Sequence, residues 1–232
     1  INIAPDNSAS VVHADTSFAD GRHVVENVTL GTAFAGSAQI VTNGTVTIPQ
    51  YQDASHPDAL LISDAAVNIA PSLEEKVDIV QNAIDLARVL GFDEVRVAIL
   101  SAMETVNPKV PSTVEAAALC KMADRGQITG GVLDGPLALD NAISLAAAEI
   151  KHIRSEVAGR ANVLIVPDLE AGNMLAKELA FVAHAEGPGL VVGAKVPIML
   201  TSRADDDSTR LASCAVAVPT PEIFRSPQLR RD

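Results

Sequence analysis

A hydroxyl, a guanidinium and three carboxylates crowd together near the C-terminal end of the chain, at Ser202, Arg203, Asp205, Asp206 and Asp207. An Arg fork is planar and suits phosphate or carboxylate. A hydroxyl beside it adds a donor, and a carboxylate adds a proton acceptor. These groups follow the apolar runs Leu190–Val192 and Val196–Leu200, which read as buried strands. Polar groups there pack poorly. They suit an anionic ligand at a strand's C-terminal end, where open α/β sheets bind ligands. The acids equally suit a solvated run that caps the next helix.

The pattern recurs. Apolar runs end in Ser63-Asp64, Ser101, Asp134-Gly135-Pro136 and Pro167-Asp168. In one parallel sheet these ends share an edge, and helix N-termini there favour anions. Asp and Ser also cap helices, so both roles stay open. Gly172-Asn173 is expected to open a helix with a residue small enough for close backbone approach to a ligand. Lys177 lies one turn further, on the same face as Asn173. Lys195, in the Gly-Ala-Lys turn between the last two apolar runs, offers another cation, and Asn107-Pro108-Lys109 lies in a loop near the same edge. Ser202, Arg203, Asp205 and Asp207 are thus the candidate catalytic residues. Ser101, Asp134, Gly172, Asn173, Lys177 and Lys195 are the candidate substrate-binding residues. His13, His23, His56, His152 and His184 lack metal-ligand spacing, so no metal is expected. No Gly-x-Gly-x-x-Gly follows a strand, and Gly-x-Ser-x-Gly does not occur.

The elements that must position these residues read clearly from Leu60 onward. Strands are expected at Ala59–Ile62, Val95–Leu100, Gly130–Leu133 and Val163–Val166. Ser72-Leu-Glu-Glu75 has the form of a capping box, opening a helix that runs to Leu90 and is closed by Gly91. Ser112-Thr-Val-Glu115 has the same form and predicts a helix to about Arg125. Further helices are expected over 140–154, 172–184 and 209–218. This alternation predicts an α/β fold with a largely parallel sheet and right-handed crossovers. Before Leu60, short strands are expected at Val24–Leu30, Ala38–Thr42 and Gly44–Ile48, with a hairpin turn at Asn43-Gly44.

Of 232 residues, 48% are hydrophobic, only 3% are aromatic and none is Trp. The core must therefore be aliphatic, which suits parallel strands. The net charge of −12 argues against nucleic-acid binding, because phosphates would go unneutralised. No stretch is expected to span a membrane. Cys120 and Cys214 lie in apolar helical patterns and read as core thiols in a reducing compartment, hence a cytoplasmic protein. The chain begins at Ile1 and not at Met, as expected of a fragment or processed piece.

Five stretches carry a family resemblance: Leu61-Ile-Ser-Asp-Ala-Ala-Val-Asn-Ile-Ala-Pro71, Leu100-Ser-Ala-Met-Glu-Thr-Val106, Gly131-Val-Leu-Asp-Gly-Pro-Leu-Ala-Leu-Asp140, Val166-Pro-Asp-Leu-Glu-Ala-Gly-Asn-Met174 and Leu200-Thr-Ser-Arg-Ala-Asp205. Together, in this order, they resemble the phosphate acetyltransferase and phosphate butyryltransferase family, over about residues 58–218. The Thr-Ser-Arg-Ala-Asp form is more similar to the butyryl-type or hydratase-fused branch. The resemblance implies a two-domain α/β/α fold like isocitrate and isopropylmalate dehydrogenases, a homodimer, and coenzyme A as substrate with no separate cofactor. It implies the reaction acyl-CoA plus phosphate to acyl phosphate plus coenzyme A. An acyl-carrier-protein:phosphate acyltransferase and a non-catalytic coenzyme A or acyl phosphate binding protein are the alternatives. Residues 1–57 depart from the family's N-terminal domain, which normally supplies phosphate-binding residues, and residues 219–232 form a tail. The classical acetyl enzymes carry an Asp seven residues after the Ser of Ser-Arg. Here that position is Thr209, and Asp205, Asp206 and Asp207 are the nearby substitutes.

Overall fold

The computed structural model describes residues 37–41, 60–183, 185, 187–193 and 198–217. The expected strands Val24–Leu30 and Gly44–Ile48, the Asn43-Gly44 turn, Lys195 and the tail 219–232 lie outside the described residues.

Parallel strands buried on both faces need continuous apolar runs, and the centre of the sheet has them. Strands β2 (Leu60–Ser63), β3 (Arg96–Leu100), β4 (Val132–Leu137) and β5 (Val163–Ile165) pair in parallel, in the order β4-β3-β5-β2. Leu61, Ile62, Val97, Ala98, Val163 and Leu164 are all 0% exposed and form the middle of the core. β1 (Ser37–Val41) pairs antiparallel with β2, and β6 (Gly189–Val191) antiparallel with β1. β7 (Ile198–Met199) closes the seven-stranded sheet antiparallel to β6. The fold is α/β with a mostly parallel sheet, as expected.

Helix α1 (Leu73–Val89) obeys its sequence signals. Ser72 is the N-cap, the reciprocal bond with Glu75 is formed, and Gly91 adopts φ +85° just past the end. Val80, Ala83, Ile84 and Ala87 turn one buried face to the sheet.

Six expectations are corrected. Helix α2 (Pro111–Asp124) has no capping box at Ser112. Pro111 already occupies its first turn, where a missing N–H costs nothing, so Ser112 and Glu115 lie inside the helix. Glu115 instead pairs with the buried Lys76 of α1. Strand β4 does not end at Asp134 but continues through Gly135 and Pro136 to Leu137, with a register shift against β3 between Ala98 and Leu100. The expected helix over 140–154 is two, α3 (Leu139–Ile143) and α4 (Leu145–Ile150). Ser144 is extended at the break and caps α4 by accepting the Ala147 N–H. The turn at Gly159 presses on this break: a Cβ there would lie 2.5 Å from Leu145 Cα. Helix α5 (Leu169–Phe181) starts three residues before Gly172, because Asp168 caps it through the Ala171 N–H. Finally, β7 is not buried: Ile198 and Met199 are 46% and 50% exposed. The last helix, α6 (Asp207–Ala217), begins two residues earlier than expected.

Candidate active site

The connections β2→β3→β4 step one way along the sheet, and β4→β5→β6 step back the other way. Right-handed crossovers then put α1 and α2 on one face and α3, α4 and α5 on the other. Neighbouring strands β2 and β5 thus send their helices to opposite faces, which opens a crevice at their C-terminal ends. Asp64, Ser101, Asp168, Gly172 and Asn173 belong to this edge.

The crevice is bonded into shape. Asp64, 3% exposed, accepts the backbone N–H groups of Ala66, Val67 and Asn68 at 3.0, 3.1 and 2.8 Å. Helix α5 packs on this loop through Gly172. A Cβ on Gly172 would lie 2.7 Å from Val166 Cγ2 and 2.8 Å from the Asp64 carbonyl oxygen. The glycine therefore allows helix to meet loop backbone; the partner in close approach is the chain itself. Asn173 fixes the same contact by donating from Nδ2 to the Ala65 carbonyl at 3.2 Å. Lys177, one turn on, is exposed. Ser63 Oγ is buried at this edge without a hydrogen-bond partner among the described residues.

The loop after β3 carries Ser101, whose hydroxyl lies 2.9 Å from that of Ser112 in the first turn of α2. Further along, the buried Thr113 donates its hydroxyl to Asn107 O and accepts Asn107 N–H, at 3.0 and 2.9 Å. Asn107 Oδ1 in turn accepts the Lys109 N–H. At the loop's middle, Glu104 accepts from Asn141 Nδ2 at 3.2 Å and lies 3.4 Å from Lys151 Nζ, which also reaches Asp140 at 3.0 Å. Asp140 is held below the usual carboxylate range by the Lys151 hydrogen bond, and Lys151 is raised by Asp140 first and Glu104 second. Asn141 is fully buried, with its Oδ1 unpartnered among the described residues.

Asp134 lies within β4, level with Ala98, and accepts its neighbour Gly135's N–H at 2.8 Å. It stands near Cys120 of α2. Burial, then Asp134 and Asp124, push that thiol up to about 12, so it stays protonated and inert.

The candidate catalytic residues lie elsewhere. All the other ends were expected to share an edge with the end of the last strand, but β7 runs against β6, and β6 points the same way as β2. Leu200 N–H bonds to Gly189 O, which is level with Gln39 and so with Ile62. Beyond Leu200 the chain heads toward the end at which β2 starts. Thr201, Ser202, Arg203 and Ala204 are exposed there. The link to α6 is a set of local turns: Asp205 accepts the Ser202 N–H, and Ser202 Oγ accepts the Ala204 N–H at 3.3 Å. Asp206 caps α6 by accepting the Thr209 N–H at 2.8 Å, and Thr209 holds its carboxyl below the usual range. Asp207 is 98% exposed at its side chain, 3.7 Å from Arg210. Of the described candidates, Ser101, Gly172 and Asn173 thus border the crevice by β2, β3 and β5, Asp134 lies within β4, and Ser202, Arg203, Asp205 and Asp207 lie beyond β7 at the far side of the sheet.

Ser63, Glu104, Asn141 and Lys151 were not among the sequence candidates. Ser63 carried a signal, as the last residue of a buried run. Lys151 carried none, because its place depends on the helix break at Ser144. Among the described residues, no cluster of three or more His, Cys, Asp or Glu is arranged to hold a metal ion, and no helix is long and apolar enough to cross a membrane.

Comparison with known proteins gives a consistent picture. A family model described as "Phosphate acetyl/butaryl transferase" matches residues 35–218. A phosphate acetyltransferase of Rhizobium meliloti is 70% identical over 162 residues, 70% of this chain and 51% of the relative. A probable phosphate butyryltransferase of Bacillus subtilis is 51% identical over 165 residues, 71% of this chain and 55% of the relative. The crystal structure of a branched-chain phosphotransacylase from Enterococcus faecalis V583 superposes with a TM-score of 0.67 at 34% identity, over 80% of this chain and 62% of that one. The chain spans about half the length of the curated relatives it matches.

Proposed function

The chain belongs to the phosphate acetyl/butyryl transferase family, and from that membership we propose that it exchanges a short acyl group between coenzyme A and phosphate. The observation that carries the proposal is the 70% identity to the Rhizobium meliloti phosphate acetyltransferase. Toward acyl-CoA, the thiolate sulfur bonds to the acyl carbon of an acyl phosphate. The carbon–oxygen bond to phosphate breaks, and phosphate leaves with the electron pair. Asp205 or Asp207 takes the thiol proton. Asp206 is the poorer base, since its carboxyl is committed to capping α6. Arg203 holds the phosphoryl oxygens with its fork, and Ser202 donates to the developing charge. Ser101, Asp134, Gly172, Asn173 and Lys177 serve substrate binding, some by shaping the crevice and not by touching ligand, and Lys195 supplies a further cation for the anionic substrate. No covalent enzyme intermediate is required, because holding both substrates together lowers much of the barrier. Coenzyme A enters as substrate, without a further cofactor.

The proposal extends to a two-domain, dehydrogenase-like architecture, a cytoplasmic location and a homodimer. It divides the chain into an atypical region 1–57, an acyltransferase region 58–218 and a tail 219–232, with β1 of the first region paired to β2 in the sheet. A second reading, a non-catalytic coenzyme A or acyl phosphate binding protein, is favoured by one observation: β7 leads Ser202 and Arg203 away from the edge that holds Ser101. Turnover decides. Coenzyme A release from butyryl-CoA and acetyl-CoA in phosphate, read with a thiol reagent, is expected; binding without release supports the second reading. Release from acyl-carrier protein alone redirects the assignment to a carrier-dependent transferase.

A further inference from the structure

Besides the Ser101 N–H bond to Leu137 O of β4, the loop 101–110 is held through side chains at three points. Two are local: Ser101 to Ser112, and Asn107 to Thr113, both in the first turn of the helix that follows. The third reaches across to another element, where Glu104 meets Asn141 and Lys151. The Lys151 part of this third point exists because the helix over 139–150 is broken. Asp140 and Lys151 are eleven residues apart, and in one continuous helix they would be separated by about 16 Å of rise. Neither side chain could close that gap. With the chain extended at Ser144, α4 folds back and Lys151 Nζ comes 3.0 Å from Asp140 and 3.4 Å from Glu104. Asn141 supports the same carboxylate from below at 0% exposure.

We propose that Lys151 is a positioning residue: with Asp140 and Asn141 it clamps Glu104 and so fixes the loop 101–110 at the crevice where Ser101 stands. The inference rests on the proposed function only for the identity of the ligand that the loop serves. Glu104 is thereby held in place as a hydrogen-bond acceptor. Val106, 56% exposed, stays presented on the loop's outer side.

Amide hydrogen exchange on the full chain tests the clamp. Lys151→Met is expected to speed exchange of the hydrogen-bonded loop amides of Asn107, Lys109 and Val110 about tenfold, and Glu104→Gln to do so by a smaller factor. The amides of 115–124 in α2 are expected to stay unchanged in both. Lys151→Arg keeps the charge and a donor and is expected to restore exchange to within twofold of wild type. Exchange at Asn107, Lys109 and Val110 in Lys151→Met within twofold of wild type overturns the proposal. So does equal acceleration in α2, which marks general loosening. Lys151 is solvent-accessible, so the fold is expected to survive its loss, and Glu104→Gln provides an independent check from the loop side. Calorimetric titration with coenzyme A is expected to show weaker binding in Lys151→Met, by about tenfold, and near wild-type binding in Lys151→Arg. Failure of the wild type to bind coenzyme A counts against the proposed function, while the exchange data still decide the clamp.

Discussion

The crevice beside β2, β3 and β5 and the turn between β7 and α6 carry similar side chains in opposite states. In the crevice, Asp64 accepts three backbone N–H groups while 3% exposed, and Gly172 and Asn173 bind helix to loop. At the turn, Ser202 and Arg203 are exposed, and among the described residues the acid side chains bond to neighbours within three residues. Buried polar groups must be satisfied by their own chain, so substituting one disturbs the fold. Exposed ones are satisfied by water, so substituting one leaves the fold and removes only what it does to a ligand. A preformed wall and an open set of reactive groups have different sensitivities, and mutants can separate them.

The largest effect is expected among the acids of the turn. If Asp205 or Asp207 accepts the thiol proton, its Asn substitution lowers kcat by about a hundredfold or more. Asp206→Asn, which can still cap α6, changes kcat little. Three equally mild mutants in the coenzyme A release assay would make the turn a cap and nothing else. Next, Arg203→Lys is expected to lose about a hundredfold in kcat/KM with an unchanged melting temperature, because a point charge replaces a planar fork at an exposed position. Wild-type phosphate dependence in that mutant breaks the comparison from the turn's side.

From the wall's side, Gly172→Ala is expected to cost about 2 kcal/mol in urea unfolding, since overpacking against backbone outweighs a gain of roughly 1 kcal/mol in helix propensity. A stability equal to wild type would mean that α5 slides freely on the loop. The smallest effect compares the two thiols. Cys120 of α2, pushed up to about 12, is expected to alkylate about tenfold more slowly at pH 8 than Cys214 of α6. The sign of the pH dependence follows from that raised value. Stability from the protonated Cys120 is complete below its unfolded value and is lost as pH rises toward about 12, where ionisation favours the unfolded chain. Mass-resolved labelling and alkaline melts give both answers.

Much of the wall was legible in the sequence, because local chemistry decided it. Ser72 and Glu75 form the box their spacing predicts, and the buried runs at Leu61, Val97 and Val163 are strands. Ser112 and Glu115 show the same spacing and form no box, because Pro111 starts the helix first and Lys76 draws Glu115 away. That outcome depends on a partner 39 residues distant. The direction of β7 was legible, against the shared edge expected of it: three residues between two apolar runs can close an antiparallel hairpin, whereas a parallel crossover needs a dozen or more, and β7 pairs antiparallel with Leu190 and Val191. The helix break at Ser144 escaped as the absent box at Ser112 did, through a partner distant in the chain: Ala-rich sequence favours a continuous helix, and the close approach of Gly159 to Leu145 overrides it.

The register shift in β4 bears on how the molecule behaves in a crowd. Among the described residues β4 pairs only with β3, so its other side is an edge with no described neighbour. An open, regular edge is a template on which another chain can add a strand. Between the residues facing Ala98 and Leu100, β4 has one residue more than its partner, and one of the residues in that interval is Pro136, which has no N–H to offer. A bulge twists an edge away from flat pairing, and a proline deletes a donor from the ladder. This edge is therefore a poor nucleus for fibrous growth.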